Sequence, residues 1–126
     1  MRIRGVIGHG KRLGHTLGFP TANIVADAPL PEVAQGGVYA ATIAIEGIPG
    51  ALPCMVNIGR HPTAPEGPPT VEAHIFDFDA DVYGCYAVLT TRKHLRPERK
   101  FDSLEALIEQ LRRDEEEARK ELGTAD

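Results

Sequence analysis

Three short stretches of this sequence carry residues whose types and spacing could do chemistry. The first holds Gly5, Gly8, Gly10, Gly14 and Gly18, interleaved with His9, Lys11, Arg12 and His15. Glycines let a backbone approach phosphate oxygens closely, and successive N–H groups beside basic side chains form an anion nest. No Gly-Lys-Ser/Thr follows, so this is not a Walker A loop; Gly8-x-Gly10 lacks its third glycine and is not followed by a helical pattern, so the dinucleotide fingerprint fails too. On spacing alone, a hairpin loop with basic decoration is the simpler account. The second stretch is Pro20-Thr21-Ala22-Asn23. Pro20 fixes the backbone ahead of Thr21, whose hydroxyl falls on the same strand face as the Asn23 carboxamide. Two neutral oxygens beside a phosphate nest would suit Mg²⁺, which keeps most of its waters; from these four residues alone, a turn and strand with ordinary surface polar residues is the favoured account. The third is Thr70–Phe76, where Val71, Ala73 and Ile75 alternate with Glu72 and His74. A carboxylate and an imidazole on one strand face could act as a general base and its neighbour, although a half-exposed strand Glu is more often merely solvated.

Other polar clusters do not build sites. Asp77, Asp79 and Asp81 resemble a fragment of a calcium loop, but the glycine and the terminal Glu are misplaced, which leaves a turn between strands. The five His are scattered without Cys/His spacing, so zinc is not supported.

The elements that must position these residues are of two kinds. Residues 92–126 hold 9 basic and 10 acidic side chains, against 5 and 8 in residues 1–91. Within the charged end, Leu104, Leu107, Ile108 and Leu111 fall at helical spacing and predict one buried stripe, the charges forming a solvated face. Asp102 with Glu105 gives a capping-box-like start, Gly123 a stop, and Glu109/Arg113, Glu115/Arg119 and Glu116/Lys120 are i, i+4 pairs. The preceding part predicts six short strands, Arg2–Gly8, Thr21–Val25, Val38–Ile45, Cys54–Ile58, Thr70–Phe78 and Cys85–Arg92, punctuated by Gly and Pro. Strands at this spacing without intervening helices favour a closed antiparallel barrel or a sandwich, with the helix outside or at one end.

Composition bounds the function. At 126 residues the chain has the size of one ordinary domain, and 13 Gly with 10 Pro exceed the ~12% share these residues usually take, which means many turns. A net charge of −4, no Trp and few other aromatics argue against a nucleic-acid surface. No apolar run approaches a membrane span and the N-terminus lacks a signal-peptide pattern, so the expected compartment is the cytoplasm, with Cys54 and Cys85 as buried thiols.

Taken together, RGVIGHGKRLGHTLGFPTANI, GGVYAA, NIGRHPT, VEAHIFDFDADVYG and LRPERKFDSLEALIEQLRRDEEEAR resemble the riboflavin kinase family, in order and over nearly the whole chain. PTAN, VEAHI and LRPExxF at compatible distances carry most of the specificity. The resemblance implies a mostly β fold: a six-stranded antiparallel, Greek-key-like barrel over about 1–92 with a C-terminal helix over about 103–122. It implies transfer of the γ-phosphate of ATP to the ribityl 5′-hydroxyl of riboflavin, giving FMN and ADP, with Mg²⁺ or another divalent metal. By position, Thr21 and Asn23 match the metal and ATP-phosphate residues, and Glu72 the catalytic carboxylate. Gly10, His15 and Gly18 match the ATP-side flap, Ile75, Asp77 and Tyr83 the nucleotide contacts, and Arg96, Arg99 and Phe101 the flavin-side contacts. Two positions depart from the family's habit: His15 stands where Arg or Lys is common, and Ala64 where an aromatic residue is usual. In bacteria such a domain is usually the C-terminal half of a bifunctional riboflavin kinase/FAD synthetase. The expected partners are therefore riboflavin/FMN and ATP/ADP, with no nucleic acid or membrane, in a monomer that stands alone, is part of a longer chain linked to an FAD synthetase, or works with a separate one. A non-catalytic flavin- or nucleotide-binding module on the same barrel is the alternative.

Overall fold

Alternating apolar and polar residues, broken by glycine and proline, give each segment one face to bury and so dictate strands. A computed structural model describes residues 1–8, 19–30, 35–59 and 69–123. It contains β1 (Arg2–Gly8), β2 (Ala22–Ala26), β3 (Gly37–Ile45), β4 (Ala51–Gly59), β5 (Thr70–Ile75), β6 (Tyr86–Arg96) and helix α1 (Leu104–Leu122). The strands close into an antiparallel barrel in the order β1-β2-β5-β4-β3-β6, so the barrel rather than the sandwich is realised. Its interior holds Ile43, Val56, Ile58, Val71 and Leu89, all fully buried. Cys54 is part of this core, where burial pushes its thiol up to about 12; Cys85 is only half-buried, and both are free.

Two of the N-terminal glycines belong to the barrel and not to a loop. Gly5 and Gly8 lie in β1, and a Cβ on Gly5 would collide with the Val25 carbonyl of the neighbouring β2. Gly5 therefore serves close strand packing. The remaining residues of that stretch, Gly10, His15 and Gly18 among them, lie outside the described residues, as does Ala64.

Strand β6 runs four residues past the expected end at Arg92. Its register against β3 shifts twice, between Val38 and Tyr39 and between Ala40 and Ala41, so Arg92 and Leu95 are skipped as bulge residues. The first bulge turns His94 toward Tyr39 of the interior, with ring centroids 4.7 Å apart. The second restores the original facing and sends Arg96, paired with Val38, to the outer wall. Gly37, at φ +123, lies against the Arg96 carbonyl, an approach that leaves no room for a Cβ.

Helix α1 packs outside β3, β4 and the end of β6. Between helix and wall lies a second apolar layer of Val38, Ala40, Met55, Phe76 and Ala118, joined by Phe19, Leu95, Leu111 and Leu122. The cap is Ser103, not Asp102: its Oγ accepts the Ala106 N–H at 3.1 Å. Gly123 ends the helix in the left-handed conformation, φ 72, donating to the Arg119 and Lys120 carbonyls. The expected stripe is displaced. Leu104 is 57% exposed, whereas the buried helix residues are Asp114 and Ala118. The charged face is thus not wholly solvated: Asp114, 2% exposed, accepts Arg96 Nε at 2.9 Å and Nη2 at 2.8 Å, and Gln110 Nε2 at 2.9 Å. Asp114 sits three residues beyond Leu111 and seven beyond Leu107, so it continues the apolar stripe, and burial of its charge depends on this bidentate partner.

Asp114→Ala should leave Arg96 without its counter-charge under the helix and lower stability by about 3 kcal/mol, the low end for a broken buried pair because Arg96 keeps some water access. Urea unfolding measures this. Glu109→Ala, which breaks the exposed 2.6 Å pair with Arg113, should change it by no more than a few tenths of that amount.

Candidate active site

On β5 the pleat buries Val71, Ala73 and Ile75 and turns Glu72 and His74 to the outer wall, as the alternation requires. On β2 the same rule buries Ile24 and turns Asn23 outward. Register then brings the two together: Asn23 is directly opposite Glu72, and on the other side Asn57 of β4 is opposite Glu72 too. A row of carboxamide, carboxylate and carboxamide results across three strands. Thr21, just before β2, donates its hydroxyl to Glu72 Oε1 over 3.4 Å, a long contact that leaves room for rearrangement. Thr21, Asn23 and Glu72 are therefore assembled as the sequence suggests. Asn57 joins this row through strand order alone, and nothing in the order of residues reveals which strand lies beside β5.

The donor set is one carboxylate with neutral hydroxyl and carboxamide oxygens. Among the described residues, no group of three or more His, Cys, Asp or Glu could hold a metal ion. Hard neutral oxygens in small number fit a cation that keeps most of its waters and shares phosphate oxygens, as Mg²⁺ does, and fit zinc poorly.

Beyond β5 the chain turns sharply. Asp77 adopts φ 53, the one positive-φ non-glycine residue among those described, and its carboxylate receives both terminal nitrogens of Arg119, at 3.1 and 3.3 Å. The hydrogen bond and charge of Arg119 hold the Asp77 carboxyl below its ordinary value, with burial opposing weakly. Arg119 also lies 4.5 Å over the Phe76 ring and donates Nε to Glu115 at 2.9 Å. The Glu115/Arg119 pair expected on the helix surface thus faces the end of β5. Ile75 points into the core, so any contact it makes outside is through its backbone. Tyr83 is exposed, its N–H held by Asp81 at 3.0 Å in the expected turn.

The three flavin-side candidates come together on the segment entering α1. The guanidinium carbons of Arg96 and Arg99 lie 5.7 and 5.2 Å from the centre of the Phe101 ring. Arg96 is committed to Asp114 and to the Pro97 carbonyl, and Arg99 Nη1 donates to Gln110 at 3.2 Å. Two cations and an aromatic ring are thereby fixed to the helix, with Gln110 and Asp114 as supports that a reading of the charged face alone conceals.

Comparison with known proteins places the chain in a family. The family model described as Flavokinase: Riboflavin kinase matches residues 1–122. A bifunctional riboflavin kinase/FMN adenylyltransferase of Bacillus subtilis is 38% identical over 120 residues, which are 92% of this chain and 37% of that protein. The chain thus spans little more than a third of that relative. Among solved structures, a Streptococcus pneumoniae protein described as a macrolide-efflux protein matches with TM-score 0.82 and 33% identity over 94% of this chain and 38% of its own. A riboflavin kinase from Trypanosoma brucei matches with TM-score 0.65 and 26% identity over 97% of this chain and 79% of its own.

Asp77 titrates with a lowered folded-state pKa, so its pairing stabilises the fold fully above the unfolded value and is lost as pH falls through the folded one. Carbon-detected NMR titration should show the Asp77 carboxyl titrating below its ordinary value and moved upward by Arg119→Gln. An unmoved titration would remove Arg119 as the cause.

Proposed function

The chain belongs to the riboflavin kinase family, and on that premise we propose that it transfers the γ-phosphate of ATP to the ribityl 5′-hydroxyl of riboflavin, giving FMN and ADP. The observation that carries this reading is the register that sets Glu72 opposite Asn23 with the Thr21 hydroxyl on its carboxylate. On the flavin side, this reading uses the segment after β6, where Arg96 and Arg99 lie against the Phe101 ring.

Phosphoryl transfer proceeds through a loose transition state, so the protein contributes mostly positioning and charge neutralisation. Glu72 would accept the proton of the 5′-hydroxyl as the oxygen attacks the γ-phosphorus. Thr21 and Asn23 would hold a divalent ion, which when bound supplies positive charge shared among ATP phosphate oxygens. Phe101, with Arg96 and Arg99 on its ring, would seat the flavin and so place the 5′-hydroxyl near Glu72. Tyr83, Asp77 and the Ile75 backbone lie where the nucleotide would rest, while Gly10, His15 and Gly18 complete the phosphate side in this reading. The adenylyltransferase activity named for the Bacillus subtilis relative is not assigned to this chain.

Incubation with riboflavin, ATP and Mg²⁺, followed by chromatography, should yield FMN; tight FMN binding without FMN formation would instead mark a binding module. Glu72→Gln should retain Mg·ADP and FMN binding yet lose turnover by on the order of 10²-fold or more. Near-normal turnover would take Glu72 out of the role. Thr21→Ala should raise KM for Mg·ATP by about tenfold and shift the metal dependence, since one oxygen donor to a charged group is lost; an unchanged metal dependence would refute its assignment.

A further inference from the structure

The ladder that closes the barrel at the site is short. β2 pairs with β5 through only Ala22↔Ala73 and Asn23↔Glu72. One step further the same register would set Thr21 against His74, but the pairing has stopped, and Pro20 has no N–H with which to continue it. At that point a side chain takes over from the backbone. His74, on the outer face of β5 with its side chain 13% exposed, places Nδ1 2.8 Å from the Pro20 carbonyl oxygen. A carbonyl can only accept, so Nδ1 carries the hydrogen. On the far side of the ring, Nε2 lies 3.4 Å from Glu115 Oε1 of α1, to which it donates when the ring is protonated, and Glu115 is itself held by Arg119. Phe19 and Phe76 meet the ring edge-on, at 5.4 and 5.8 Å between centroids.

We propose that His74 is a positioning residue for this site: its Nδ1–H to the Pro20 carbonyl holds Thr21 at Glu72, and Glu115 with the two Phe rings fixes the imidazole that makes this bond. The proposal rests on the reaction assigned above and deepens it, by naming what keeps the metal- and phosphate-side residue in register where the sheet ends. His74 touches neither reacting atom. Its effect passes through Pro20 to Thr21, so it should appear on the Mg·ATP side of the reaction and not on the flavin side.

Three variants separate positioning from plain packing. Asn can place an amide N–H near the Nδ1 position, Gln reaches instead toward the Nε2 position, and Leu keeps only bulk. His74→Leu should raise KM for Mg·ATP about tenfold and leave KM for riboflavin within about twofold, His74→Asn should recover most of the loss, and His74→Gln should not. Equal behaviour of Asn and Leu, or parallel changes in both KM values, would overturn the proposal. Calorimetric affinity for Mg·ADP, measured on the same samples, should follow the same order, so the inference is decided even if the wild-type protein makes no FMN, an outcome that would sink the assigned reaction instead. Should the variants fail to fold, nitrogen NMR of wild-type His74 remains. A hydrogen on Nδ1 is expected, and a bare Nδ1 would refute the contact.

Discussion

A carboxylate that a helix must bury needs a cation waiting for it, and the Asp114–Arg96 pair is the constraint on which the arrangement of this protein turns. The bidentate geometry fixes both the depth and the rotation of α1 against the wall. One turn before Asp114, Gln110 then meets Arg99 and helps fix the Phe101 segment. After it, Glu115 as the next residue and Arg119 one turn beyond that face His74, Phe76 and Asp77 at the end of β5. A single ion pair thus references both ends of the candidate site to the same helix. Arg96 faces it because the second β6 bulge restores the outward facing that the first reversed, and Gly37 lets the backbones approach.

The two halves of the site are held in different ways. Glu72 and Asn23 stand on strands, where the pleat and register decide which side chains face each other, and Asn57 belongs to the longer β4–β5 ladder. Thr21, Asp77 and Phe101 lie at element ends, where side chains from α1 or β5 substitute for the missing ladder. Strand register under Glu72 and Asn23 and side-chain ties under Thr21, Asp77 and Phe101 suit the proposed phosphoryl transfer, in which catalysis consists mostly of placing charges.

Much of this was legible in the order of residues, and what was not has physical reasons. Period-two alternation is a local signal, so all six strands and the shared face of Glu72 and His74, or of Thr21 and Asn23, could be read. Bulges destroy that alternation, which is why β6 seemed to end at Arg92. The helix was visible from its spacing, but Asp114 in a run of charges looks solvated until its partner 18 residues earlier is known. Asn57 required knowledge of strand neighbours, which is long-range information. Gly5 and Gly8, which looked like part of a phosphate loop, answer to strand packing, a demand that spacing does not distinguish from close approach to a ligand. The motifs that resemble the family gave residue roles that periodicity alone left open.

The two-pair ladder between β2 and β5 has a consequence for motion. Among the described residues it is the shortest of the six ladders that close the barrel, beside eight paired positions in each of those flanking β3. In native-state exchange, a wall opens first where fewest backbone bonds must break, at a free energy below that of global unfolding. The cheapest opening of this barrel therefore parts Asn23 from Glu72 while the core layers around β3 and β4 stay closed. Breathing of the fold and disassembly of the candidate site become one and the same local event.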